Sequence, residues 1–264
     1  MNIKNKIINP QDLQTRKLIF FKRFVNTFLS PKIHGSFHKR NAFVANNDNT
    51  ESSKLVSFYH KITHRLWFFP SMYTAKFWVD TKKDGDRGYT TFMKIDDKAL
   101  FLVENLQRLI DDKNMPILDI GCNIGRFINI LAKNGCNNLT GIDINQLAIN
   151  DSFNVYPELE GKAKMKCDTI QGFLSNANDN EFDLIYSYGA TVELVHPTFP
   201  LVKNLARVSS KYVCLFINES ELYVRFWEIE FKRNSFELML KAPYCYRNHL
   251  GSCDLVLYIF RKIV

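Results

Sequence analysis

The stretch Met115 to Asn145, MPILDIGCNIGRFINILAKNGCNNLTGIDIN, constrains the fold more than any other part of the chain, because it reads as strand, glycine-containing loop, helix and strand in quick succession. Ile117, Leu118 and Ile120, after Pro116, make a short apolar run of the kind buried on both faces of a parallel sheet. The run ends in Asp119-Ile-Gly-Cys-Asn-Ile-Gly125, whose two glycines, four apart, permit tight turning and let a ligand approach the main chain with no Cβ in the way. Phe127, Ile128, Ile130 and Leu131 supply the apolar positions of the helix that follows, and Gly135 stands where a C-terminal cap is wanted. Leu139 to Ile144 predicts the next strand, with Asp143 at its end, 18 residues beyond Gly125, where a carboxylate can accept hydrogen bonds from a ribose diol. The spacing predicts a βαβ unit that binds a nucleoside cofactor.

Two cofactor classes use such a unit, and the loop separates them. A dinucleotide fold wants G-x-G-x-x-G and a free helix N-terminus for the pyrophosphate. Here the glycines are spaced G-x-x-x-G and an acid precedes them; Asp119 at the mouth would repel a pyrophosphate but suits a ligand carrying an ammonium and a sulfonium. On these residues the stretch resembles the class I S-adenosylmethionine-dependent methyltransferases, whose first motif is an acid followed by G-x-G-x-G. Asn123 replaces the middle glycine, and Asn tolerates positive φ better than most residues.

The resemblance covers roughly residues 94–264 and implies an α/β fold, a doubly wound, seven-stranded, mostly parallel sheet of the Rossmann-like methyltransferase type, preceded by an N-terminal extension over residues 1–93. It implies S-adenosylmethionine as the cofactor. Asp119 and the backbone around Gly121 would hold its methionine end, with Cys122, Asn123 and Gly125 completing the loop. Asp143 would take the ribose hydroxyls, Ile144 would lie against the adenine, Asp168 would accept from the adenine amino group, and Tyr186 would be a further cofactor-binding residue. Plainer roles exist for some of these: Asp143 could cap the helix beginning near Asn145, and Asp168 could open a turn.

The other elements follow from periodicity. Asp96 to Asp111 predicts a helix with Leu100, Val103, Leu106, Leu109 and Ile110 on one face. Helices are expected over 146–155, 197–208 and 222–231, and strands over 163–167, 182–187, 212–217, 236–240 and 255–260. The segment after the fourth strand, Tyr186-Ser-Tyr-Gly-Ala-Thr-Val-Glu-Leu-Val-His-Pro197, lies at the carboxyl edge where open α/β sheets bind ligands. Methyl transfer from a sulfonium is an in-line displacement, so the protein mainly aligns donor and acceptor. A base helps only if the acceptor must lose a proton. His196 is the first candidate and Glu193 the second, although His196 could equally be a polar residue starting the next helix.

Charge is unevenly placed. Residues 1–83 hold 15 Lys and Arg against 4 Asp and Glu, while the remaining 181 hold 20 against 23, so the formal net charge of +8 belongs to the lead-in. That argues against a core built to grip nucleic acid. Within the lead-in, Lys17 to Ser30 has apolar residues at nearly helical spacing and could lie on an anionic membrane surface or pack on its own protein. Residues 41–53 read as a polar linker, and His60 to Trp78 carries six aromatic residues suited to a lid, a pocket wall, core packing or a partner surface. Asp80 to Thr91 reads as a solvated turn-rich loop from which Asp84, Asp86 and Arg87 could reach a substrate.

The six cysteines include no C-x-x-C pair, favouring reduced thiols and a cytoplasmic location. No apolar run approaches the roughly 20 residues of a membrane span, no signal-peptide core is evident, and the histidines form no metal-ligand pattern. The expected activity is transfer of a methyl group to an O or N atom of a small molecule or saccharide unit. Two alternatives stay open: an RNA or protein methyltransferase docking through the basic extension, and a non-catalytic module that binds S-adenosylmethionine.

Overall fold

The computed structural model describes residues 79, 83–84, 88–189, 191–192, 195, 199–218, 226–244 and 255–263. The chain divides into two compact units, 1–77 and 78–264, and all the described residues belong to the second. The expectations for residues 17–30, 41–53 and 60–78 lie outside the described residues.

Seven strands form one sheet: β1 (Ile117–Ile120), β2 (Leu139–Asp143), β3 (Ala163–Cys167), β4 (Phe182–Tyr188), β5 (Ser209–Asn218), β6 (Phe236–Tyr244) and β7 (Leu255–Lys262). Their order is β3-β2-β1-β4-β5-β7-β6. The first five run parallel, and β7 enters antiparallel between β5 and β6. The chain walks outward from β1 to β3 and then returns to β4 on the other side of β1, so the strand order reverses between β1 and β4. The carboxyl ends flanking that reversal are where a doubly wound sheet opens a crevice for a ligand.

Among the described residues six α-helices cover the two faces: α1 (Asp97–Gln107), α2 (Arg126–Lys133), α3 (Gln146–Val155), α4 (Ile170–Asn176), α5 (Leu201–Val208) and α6 (Trp227–Arg233). Side chains alternate across β1 as a strand requires. Leu118 and Ile120 join the core beneath α4, α5 and α6, while Ile117 joins the core beneath α1 and α2. The first helix departs from expectation in one respect. Ala99, Leu102, Val103 and Leu106 are its buried stripe, whereas Leu100 is 49% exposed, because the spacing of 99, 102, 103 and 106 gives a better-aligned face than one begun at Leu100.

Local chemistry fixes the ends of the central unit. Helix α2 closes on Gly135 at φ 92°, with the Gly135 amide donating to the Ala132 carbonyl at 3.1 Å and the Cys136 amide to Leu131 at 3.0 Å. That is a Schellman ending, and it turns the chain straight into β2. Asn145 caps α3 by accepting from the Ala148 amide at 3.1 Å. Helix α4 was not anticipated from the sequence. Thr169 caps it by accepting from the Gly172 amide at 2.9 Å, and Arg207 holds its far end by donating to the Leu174 and Ala177 carbonyls at 2.6 and 2.7 Å.

Packing is close where β2 meets α2. A Cβ on Gly141 would lie 2.4 Å from Ile128 Cδ1, 2.8 Å from Cys122 Sγ and 3.0 Å from Met165 Sδ. Gly141→Ala should therefore destabilise by about 1–2 kcal/mol. The overpacking cost of about 1–3 kcal/mol exceeds the roughly 0.5–1 kcal/mol an alanine gains over glycine inside a strand. Thermal unfolding should show a fall in Tm of several degrees; an unchanged or higher Tm would mean that Ile128 yields freely.

Candidate active site

The loop between β1 and α2 folds back on the end of β2, the Gly121 and Cys122 amides both donating to the Ile142 carbonyl at 2.9 and 3.0 Å. Gly121, Asn123 and Gly125 adopt φ values of 77°, 51° and 89°, so the left-handed positions fall at every second residue. Asn123 thus takes the conformation a middle glycine would take, and its own side chain accepts from the Ile124 amide at 2.9 Å. Gly121 cannot be replaced without collision, since a Cβ there would lie 2.3 Å from Thr191 Cγ2. At Gly121 the neighbouring Thr191 leaves room only for backbone.

Asp143 ties the loop to the sheet. One carboxylate oxygen accepts from the Asn123 amide at 2.8 Å and the other from the Asn145 amide at 2.9 Å. Burial raises its pKa, while its bonds from the Asn145, Asn123 and Ile144 amides pull the other way. A carboxylate offers about four acceptor sites, so two amide bonds leave capacity for a diol. The Asp168 amide donates to the Asp143 carbonyl at 3.0 Å, which brings the ends of β2 and β3 side by side and places half-buried Asp143, Ile144 and Asp168 on one edge. Asp168 accepts from the Thr169 amide at 2.7 Å.

Asp119 and Tyr186 lie deeper than the sequence reading placed them. Asp119 sits beneath the mouth at 1% exposure and Tyr186 is wholly buried. They are register partners on β1 and β4, the only two buried titratable groups on that pair of strands to face each other. Neither Asp119 Oδ2 nor Tyr186 Oη has a hydrogen-bond partner among the described residues. Burial pushes the Asp119 carboxyl up to about 8, the neighbouring Tyr186 hydroxyl and Arg126 lowering it and Asp143 raising it. Burial, followed by the Asp119 charge, pushes the Tyr186 phenol well above its usual value. The Tyr186 ring packs edge-on to Phe127 at 6.5 Å. Cys122 is likewise buried, its thiol bonded to the Asn123 carbonyl at 3.4 Å.

Two residues not singled out from the sequence also meet the loop. The Arg126 guanidinium donates to the Lys94 carbonyl and lies over the Phe127 ring at 4.4 Å and the Tyr188 ring at 5.3 Å. Tyr89, 1% exposed, packs with Ile124 and Ala148, and its hydroxyl donates to Asp151. No local pattern marks this bond, because its partners stand 62 residues apart. Asp84 accepts from the Thr90 hydroxyl at 3.1 Å, while Asp86, Arg87 and both candidate bases, Glu193 and His196, lie outside the described residues.

The donor set fits S-adenosylmethionine: a glycine-type cradle that a Cβ would fill, a buried carboxyl oxygen with no partner, and a second carboxylate at the end of β2. Comparison with known proteins agrees. Residues 117–211 match the family model described as a methyltransferase domain. No curated protein matches the chain significantly. Among solved structures, magnesium protoporphyrin IX methyltransferase from Synechocystis PCC 6803 with bound cofactor is 11% identical, with a TM-score of 0.53, over 79% of this chain and 97% of that one. An S-adenosylmethionine-dependent methyltransferase from Mesorhizobium loti is 11% identical, with a TM-score of 0.51, over 64% of this chain and all of that one. The cyclase SpnF, 15% identical, has a TM-score of 0.53 over 63% of this chain and 81% of that one. These likenesses show the fold, and the family-model match adds the chemistry to it. Over residues 117–211 the chain therefore carries a methyltransferase domain, and the donor set of its cofactor loop fits S-adenosylmethionine.

Proposed function

We propose that the enzyme moves the methyl group of S-adenosylmethionine to an oxygen or nitrogen atom of a small molecule or saccharide unit. Bound cofactor supplies an electrophilic methyl on a sulfonium; what the chain must do is grip, orient and exclude water. The observation that carries the reading is Asn123, held left-handed with its amide on Asp143. That arrangement gives the loop the shape a glycine-rich cofactor turn would have. Asp119, Gly121, Cys122, Asn123 and Gly125 would hold the methionine end, Asp143 the ribose, and Ile144 and Asp168 the adenine. His196, with Glu193 behind it, is the proposed base where the acceptor must lose a proton. The small-molecule acceptor named for the Synechocystis enzyme is compatible with this choice of acceptor class.

Titration calorimetry tests the cofactor half: S-adenosylhomocysteine should bind at one site per chain, and a nicotinamide dinucleotide should give no heat. Transfer of a labelled methyl to a panel of small phenols, amines and sugars tests the acceptor half. The charge of residues 1–83, 15 basic against 4 acidic, favours a second reading in which an RNA or an acidic protein is the acceptor. Binding that falls steeply with salt and disappears when residues 1–40 are removed would select it.

A further inference from the structure

The segment joining Tyr89 to α1 touches the cofactor loop at one end and the first residue of α2 at the other. A 3-10 turn over Tyr89–Met93 starts it. At that end the Tyr89 ring is enclosed by Ile124 of the loop and Ala148 of α3, with Met93, Val155 and Tyr156 around them, and its hydroxyl donates to Asp151. At the other end the Lys94 carbonyl accepts from Arg126, the first residue of α2, whose guanidinium is itself braced over Phe127 and Tyr188. Asp96 then caps α1 by accepting from the Ala99 amide at 2.9 Å. A segment fixed at one end to a loop whose backbone sits in three left-handed conformations, and at the other to the helix that follows it, restricts how that loop can relax.

We propose that Tyr89 and Arg126 are positioning residues for the cofactor: the segment from Tyr89 to Lys94 is a strap that holds the Gly121–Gly125 turn in its binding shape and slows release of the cofactor and its demethylated product. The inference rests on the cofactor reading above. Tyr89, at 1% exposure, has almost no surface to offer a ligand, so it works through Ile124 and Asp151. Because the strap joins the loop to α3, opening the site for exchange requires the Tyr89–Asp151 bond to break or to move with the loop. Lid-like segments of this kind set release rates more than chemistry.

The test uses the full-length protein and S-adenosylhomocysteine. Tyr89→Phe and Asp151→Ala should each raise its Kd about tenfold, mostly through faster dissociation, as expected for loss of one charge-assisted bond. Asp151→Asn, whose amide oxygen can still accept from the tyrosine hydroxyl, should stay within about threefold of wild type. The Tyr89→Phe/Asp151→Ala double variant should be no weaker than the worse single, because both remove the same bond. In the wild type, S-adenosylhomocysteine should slow hydrogen exchange of residues 89–94 together with 121–125, a readout independent of any variant's folding. Wild-type dissociation in both single variants, losses that multiply in the double variant, or ligand protection of 121–125 without 89–94 would each overturn the strap while leaving the cofactor reading intact. A wild type that does not bind S-adenosylhomocysteine would overturn both.

Discussion

Asp143→Ala is expected to weaken S-adenosylhomocysteine binding by a hundredfold or more and to destabilise the fold by about 2–4 kcal/mol. The side chain makes two structural bonds at once, to the Asn123 amide at 2.8 Å and the Asn145 amide at 2.9 Å. Asn145 is 1% exposed, so water cannot readily replace the lost partner, and a buried donor left unsatisfied costs about 1–3 kcal/mol. The loop is freed as well. Asn123 has no steric reason to stay at positive φ once its amide is released, and the proposed ribose acceptor disappears with the same atoms. Asp143→Asn keeps one accepting oxygen for two competing amides and should fall between the two. Calorimetry and urea unfolding on the three proteins separate the terms. Wild-type affinity in Asp143→Ala would remove this residue from the site.

The second large effect is on pH. With its carboxyl pushed up to about 8 by burial, Asp119 is neutral in the free protein at pH 7. Gripping the ammonium of the ligand favours the carboxylate, so binding should expel a proton. The groups that face it are Tyr186 on β4, Asp143 on β2, Arg126 at the start of α2 and the Cys122 thiol, and Arg126 is the one cation among them. Affinity for S-adenosylhomocysteine should therefore rise between pH 6 and 7.5, by up to about tenfold per unit. It should level near 8, where an α-amino group itself begins to lose its proton. Calorimetry at pH 7 in buffers of different ionisation enthalpy should report release of close to one proton. Asp119→Asn should bind more weakly and release none. The same shift acts on stability in the opposite sense. A folded-state pKa above the unfolded value of 3.8 means the native chain holds the extra proton between pH 4 and 8. That contribution is full below the unfolded pKa and is lost as pH rises through 8. The free enzyme should grow less stable over that range and Asp119→Asn should not. A binding enthalpy independent of the buffer would show that the carboxyl enters the complex without titrating.

What could be read in advance was what is decided locally. The turn from Asp119 to Gly125, the helix ending at Gly135 and the strand ending at Asp143 each follow from residues within a few positions of one another, and all lie where the pattern puts them. The carboxylates at the strand ends were legible for the same reason, since strand order at a switch point fixes where they emerge. Pairings across the fold left no local trace. Tyr89 and Asp151 meet only because α3 is laid against the cofactor loop, and the depth of Asp119 depends on Tyr186 arriving beside it from β4. Helix α4 escaped because it is short and carries Gly172, where a Cβ would lie 2.6 Å from Asp168 Oδ1 and 2.9 Å from Thr169 Oγ1. Strand β6 runs to Tyr244, past the expected end at Leu240, because an edge strand tolerates Pro243 where a central one would not.

The antiparallel entry of β7 between β5 and β6 governs how the molecule can be made. Residues 255–262 fill a slot in the middle of one half of the sheet, pairing β5 on one side and β6 on the other. Until that segment has left the ribosome, the nascent chain holds β5 with an open edge beside buried Cys214, Leu215, Phe216 and Ile217, and β6 has no strand to pair with. An unpaired edge backed by apolar side chains invites association with other chains. The half of the sheet that cradles the cofactor can close early in synthesis, whereas the other half must wait for the polypeptide to come back and complete it.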